Sequence, residues 1–191
     1  TGQVAEALAT GEHAVQLDAA PVRLTDFASA QWVDGRPEEA LATLRRAIEA
    51  DPDRNMRWAR DNWYVINMVL GRHEDAVRYG LPSGEFLEVS PARHEEIVNA
   101  LQHRGTRPLP AAGPEESYLM IVIWRQLGDP DIAFTGIDDF LRLYPFVTLG
   151  WLWSHELDPL RDDPRYLALL HRLNLDGAVP RRTGSDAGTP P

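Results

Sequence analysis

Residues 21–54, PVRLTDFASAQWVDGRPEEALATLRRAIEADPDR, constrain this chain more than any other stretch. They read as two short amphipathic helices joined by a glycine turn. Leu24, Phe27, Ala28 and Gln31 recur at spacings of three and four, so they share one face of the first helix. Gly35 stops that helix, because a residue without Cβ takes the left-handed cap conformation at no steric cost. Pro37 restarts the chain at a first helical turn, where its missing N–H is no loss. Glu38 and Glu39 then place negative charge at the positive end of the new helix dipole. Ala40, Leu41, Leu44, Ala47 and Ile48 form a second stripe, closed by Asp51-Pro52. The small Ala40 and Ala47 let two antiparallel helices approach closely.

The pattern recurs. Trp63, Tyr64, Asn67, Gly71 and Ala76 repeat Phe27, Ala28, Gln31, Gly35 and Ala40 at a shift of 36 residues. A small insertion is expected near residues 53–56, Tyr64 stands where a small residue is expected, and Gly80-Leu81-Pro82 cuts the second helix short. Met120, Ile121, Trp124, Gly128, Ala133, Ile137, Phe140 and Pro145 fall at the same spacing, with Asp129-Pro130 repeating the turn-then-proline device. Ile121 and Phe140 are large, which predicts a wider hairpin. The run YLMIVIW is apolar around most of its helix and predicts an element covered on several sides.

The remaining segments are simpler. Residues 3–19 predict one helix, equivalent to the second helix of a repeat; with Thr1 at the start, the expectation is a chain that begins mid-array, within a longer protein. Residues 81–91 predict a loop, and Ser90-Pro91 predicts the N-cap and first residue of a helix with Ile97, Val98 and Leu101 on its apolar face. Residues 105–114 predict an inter-repeat loop. Asp163-Pro164 predicts another capped start, followed by the stripe Tyr166, Leu169, Leu170 and Leu173, and residues 176–191 predict a disordered tail.

The hairpin pattern resembles the tetratricopeptide (TPR) repeat, a helix–turn–helix unit of roughly 34 residues. Leu24, Phe27, Ala28 and Gln31 stand at the family's Trp, Leu, Gly and Tyr positions, and Ala40, Leu44, Ala47 and Pro52 at its Ala, Phe, Ala and Pro positions. The segment LRDDPRY at residues 160–166 resembles the closing segment of bacterial TPR arrays found C-terminal to winged-helix regulators, class III adenylyl cyclases and protein kinases. The resemblance implies an all-α, TPR-like helical-hairpin solenoid over residues 1–175, with hairpins at 21–54, 56–80 and 114–145, an irregular middle and a cap at 156–175. It also implies a bacterial signalling or transcription-regulatory context.

Composition narrows the function. The net charge of −10 opposes a polyanion, so direct nucleic-acid binding is not expected. There is no cysteine, hence no disulfide or thiolate site. No apolar run is long enough to span a bilayer, and a cytoplasmic location without membrane association is expected. His13, His73, His94, His103, His155 and His171 lack metal-ligand spacing, and Asp158, Asp162 and Asp163 near His155 do not predict a carboxylate site, since Asp163 suits a helix cap and Asp158 precedes Pro159. No nucleophile elbow or phosphate-cradling loop occurs. Neither catalysis nor a cofactor or metal is expected.

What remains is partner binding. TPR first helices line a concave groove that receives peptides or helices. Projected from that geometry, the groove-facing residues are Thr25, Ser29 and Trp32, then Trp58, Asp61, Val65 and Met68, then Tyr118, Val122 and Arg125. Trp32, Trp58, Asp61, Met68, Tyr118 and Arg125 are the candidate partner-binding set, Trp and Arg being common interface anchors. The expected function is a non-catalytic protein-interaction or regulatory sensor domain. The alternatives are a homo-oligomerising module, or an accessory domain shaping an attached cyclase or kinase.

Overall fold

A computed structural model describes residues 4–51, 57–83, 87–103, 116–144, 152 and 155–175. The fold is all-α. In chain order the helices are α1 (Val4–Leu17), α2 (Pro21–Val33), α3 (Pro37–Ala50), α4 (Arg57–Val69), α5 (His73–Ala76), α6 (Pro91–Gln102), α7 (Ser117–Leu127), α8 (Pro130–Leu143) and α9 (Pro164–Arg172), with a 3-10 turn at His155–Leu160. Between α5 and α6 the described residues are non-helical and carry one isolated antiparallel bridge, Ser83 to Glu88. The expected insertion at 53–56, the loop at 105–114 and the tail at 176–191 lie outside the described residues.

The 36-residue recurrence reaches the backbone. At the end of α2, the N–H groups of Asp34, Gly35 and Arg36 donate to the carbonyls of Ala30, Trp32 and Gln31. At the end of α4, those of Leu70, Gly71 and Arg72 donate to Ile66, Met68 and Asn67. Each donor and each acceptor is displaced by the same interval. Gly35 and Gly71 hold φ of 80° and 72°, the left-handed cap that both turns require. The second hairpin then departs from the first: α5 has four residues before the chain turns away to Gly80, as Gly80-Leu81-Pro82 predicts.

Two buried clusters form the interior. Leu24, Ala28 and Trp32 of α2 meet Ala40, Leu44, Ala47 and Ile48 of α3, with Ala59, Trp63 and Ile66 of α4. Ala40 and Ala47 have no exposed surface, which is the close approach expected of them. The second cluster joins Tyr64, Val65 and Met68 of α4 to Ile97 and Leu101 of α6, Leu119 to Trp124 of α7, Ile137 and Phe140 of α8, and Tyr166, Leu169 and Leu170 of α9. Leu119 to Trp124 of α7 are all buried, in keeping with the apolar run. By contrast α1 buries no residue fully. It leans on α2 through Gly11, where an added Cβ would stand 2.8 Å from the Phe27 ring.

The α7–α8 hairpin packs closely at a point where large residues predict width. Gly136 supplies the missing space: a Cβ there would stand 2.9 Å from the Ser117 carbonyl oxygen and 3.1 Å from Ile121 Cγ1. The small residue has moved from α7 to α8.

The caps follow the sequence. Ser90 Oγ accepts from the Arg93 N–H at 3.2 Å, and Asp163 Oδ1 from the Arg165 N–H at 2.8 Å. The α9 stripe is buried at Tyr166, Leu169 and Leu170 and half-buried at Leu173. Tyr166 donates its hydroxyl to the Leu152 carbonyl at 2.6 Å. Arg165 lies over the Phe134 ring at 4.1 Å and reaches Asp131 at 2.6 Å, while Arg172 pairs with Asp138 at 2.8 Å. The closing segment is thus held to α8 by apolar contact beneath and ion pairs above.

Gly136→Ala gains about 1 kcal/mol in helix propensity but forces a methyl against a backbone carbonyl, an overpacking cost of typically 1–3 kcal/mol. Chemical denaturation should therefore show a net loss. Thr135→Ala, one residue away and exposed, should fall within about 0.5 kcal/mol of wild type.

Candidate functional site

The structure divides the candidate partner-binding set. Met68 is fully buried and Trp32 is 5% exposed, so neither offers a partner any surface. Thr25, Val65 and Val122 are buried as well. The reason is packing: α4 meets α6 and α7 directly, in the second core, along the face where an open groove would need Val65 and Met68. Gln126 of α7 closes this contact, its amide donating to the Met68 and Val69 carbonyls at 2.6 Å each. Trp58, Asp61, Tyr118 and Arg125 stay accessible: Trp58 is 50% exposed, Arg125 is exposed, and Asp61 and Tyr118 are half-buried. Ser29 is half-buried and donates to the Thr25 carbonyl at 3.0 Å, while the Asn62 amide reaches Ser29 Oγ at 3.5 Å across α2 and α4. The accessible candidates on α4 are therefore confined to its N-terminal half.

Asp61 is the unusual member. Its carboxylate makes no hydrogen bond or ion pair with any described residue. Burial pushes its pKa from 3.8 up to about 7, and the charge of Arg57 pulls it back only in part. Arg57 lies one turn earlier but directs its guanidinium to the Ser83 carbonyl at 3.4 Å. A cation preceding an acid by four residues is also the weaker orientation for a helical pair. Trp58, three residues before Asp61, lies on the adjoining part of the same helix face.

A second group of polar residues lies deeper and was not among the candidates. Tyr64, with no exposed surface, hydrogen-bonds through its hydroxyl to His94 Nδ1 at 3.0 Å, with the rings edge-on at 5.7 Å. Burial holds the Tyr64 phenol well above its ordinary range, with the nearby Glu116 charge adding to the effect. Burial also lowers the pKa of His94, helped by His73 and opposed by Glu95, and burial lowers that of His73. Both directions favour a neutral tyrosine donating to a neutral imidazole. Beside them Arg93 binds Glu116 through two nitrogens, Nε to Oε1 at 2.8 Å and Nη2 to Oε2 at 2.7 Å, with side chains 12% and 8% exposed. This group ties α4, α6 and the start of α7 together. Nothing in the local sequence around Tyr64, His94 or Glu116 signals it, since the contacts span 30 and 23 residues.

Two surface hollows lie elsewhere among the described residues. One of about 230 Å³ lies between α3, α4 and α5 and is lined by Arg45, Arg72 and Arg78, but Arg72 pairs with Glu38 and Arg78 with Asp75. The other, about 520 Å³, lies between α1 and α2 along Ala7, Gly11 and Ala14. Among the described residues no three His, Cys, Asp or Glu side chains are grouped to hold a metal ion, and no helix is long and apolar enough to cross a membrane. No family model, curated protein or solved structure matches the chain.

Two measurements test these assignments. Asp61 has a folded pKa above its unfolded value, so it takes stability from the fold as pH rises from about 4 to about 7 and no more beyond that. Asp61→Asn should therefore raise stability at pH 8 by roughly 1–3 kcal/mol, after allowing for solvent screening, and the gain should vanish as pH falls to about 4. Arg93→Ala removes one side of a buried ion pair and should cost about 3–5 kcal/mol in denaturant unfolding. Glu38→Ala, which breaks an exposed pair, should cost about 0–1 kcal/mol.

Proposed function

We propose that this chain is a non-catalytic protein-interaction domain of the TPR type, docking a peptide or protein partner on the N-terminal part of α4 and the adjoining surface. The observation that carries the reading is the pairing of a half-exposed Trp58 with the half-buried Asp61, which is without a partner among the described residues, on a helix otherwise committed to two cores. Large aromatics at the edge of a rigid scaffold are common anchors for partners, and a desolvated polar group beside one supplies specificity. The turn that recurs after 36 residues supports the TPR assignment. The TPR likeness in turn supports a regulatory role beside an attached effector in a cytoplasmic, bacterial protein.

A second reading, self-association, draws on Leu17 and Val22. They are 72% and 54% exposed on either side of the α1–α2 turn and offer an apolar patch to a second copy.

Site-specific photo-crosslinking in cells separates the two. A crosslinker replacing Trp58 should capture a partner, and one replacing Leu167, 53% exposed on α9, should not. Light scattering of the chain should give the monomer mass of 21.4 kDa. Equal capture from both positions would remove the site, and a dimer mass lost on Leu17→Asp would favour self-association.

A further inference from the structure

Three features of α4 bear on what kind of partner fits. Asp61 is half-buried and makes no hydrogen bond or ion pair among the described residues. The two cations near it on α4 are engaged elsewhere: Arg60, its neighbour in sequence, donates to the Tyr79 carbonyl at 2.8 Å, and Arg57, one turn earlier, to the Ser83 carbonyl at 3.4 Å. Trp58 presents a half-exposed indole one turn away. A carboxylate in such a place is poorly solvated by water and unsatisfied by protein, so an arriving cation meets little competition. The chain's net charge of −10 adds long-range attraction for the same kind of ligand.

We propose that Asp61 receives a lysine or arginine side chain of a peptide partner, whose alkyl stem lies against Trp58. This rests on the interaction reading above and goes further by naming the chemistry of the residue recognised. An ammonium or guanidinium there forms a charge-assisted hydrogen bond with the carboxylate, and the indole covers the stem or meets the cation face-on. An acidic or phosphorylated ligand is excluded at this spot, because it would set like charges together in a partly desolvated site.

The test is peptide display with the full chain as bait. A random-peptide library is selected on wild type and on Asp61→Asn in parallel, at about 0.15 M salt, where charges more than ~8 Å apart are largely screened. Asp61→Asn relieves a desolvated charge, so the variant is expected to fold. Wild type should enrich peptides with a fixed Lys or Arg next to apolar residues, and Asp61→Asn should lose that position. A selected peptide resynthesised with neutral citrulline for arginine should bind wild type about tenfold more weakly and bind Asp61→Asn with no such difference. Trp58→Ala should weaken both peptides. If the enriched peptides lack a basic position, or keep it on Asp61→Asn, the cation site is wrong and the interaction reading stands. If neither bait enriches any peptide, the inference falls together with the reading on which it rests.

Discussion

Everything in this fold depends on α4 being buried from two sides. Trp63 and Tyr64 are neighbours in sequence and point into different cores, Trp63 toward α2 and α3 and Tyr64 toward α6 and α7. Each large side chain withdrawn from water contributes roughly 1.5–3 kcal/mol, but only where its polar tip keeps a partner. Both do. The Trp63 indole donates to the Asp75 carbonyl at 2.8 Å, and the Tyr64 hydroxyl meets His94 Nδ1 at 3.0 Å. Asn67, one turn further on, is buried too and satisfies its amide on the Trp63 carbonyl at 2.9 Å. Without α4 the two cores would each lose a wall.

Tyr64 also accounts for the way the chain leaves its own repeat. The equivalent position one repeat earlier is Ala28, which lets α2 lie flush against its neighbours. A phenol ring cannot be accommodated in that manner. Here it is enclosed by α6, which brings His94 to the hydroxyl, while the companion helix α5 is cut to a single turn. The irregular middle is therefore where a large ring is housed. Its cost is the open face of α4: α6 and α7 cover Val65 and Met68, and only the Trp58–Asp61 end stays in reach of a partner.

The sequence carried the local features well and the long-range ones poorly. Gly35, Gly71, Ser90 and Asp163 act through hydrogen bonds to residues a few positions away, so their spacing alone predicts their roles. Ala40 and Ala47 were legible because both belong to one hairpin whose partner helix is adjacent in sequence. Gly136 was missed, because its task depends on which part of α7 crosses above it. The Arg93–Glu116 pair and the Tyr64–His94 bond were missed for the same reason, being set by how α6 lies against α4 and α7. Trp32 and Met68 were placed in a groove by projecting repeat geometry, and the actual packing of α4 on α7 buries Met68. Trp58 and Asp61, roughly three and two turns earlier on α4, escape that contact.

The uneven burial of the helices has a consequence for how the molecule opens. Proteins do not lose structure uniformly; segments with little buried surface open locally at a small fraction of the global free energy. α1 has no fully buried residue, and of its side chains Val15 packs against the first core. The fully buried members of the first core all lie on α2, α3 and α4. α7, buried over most of its length, sits at the other extreme and can be exposed only by dismantling the second core. Amide protection should be lowest along α1 and highest along α7, so the two helices should exchange on very different timescales.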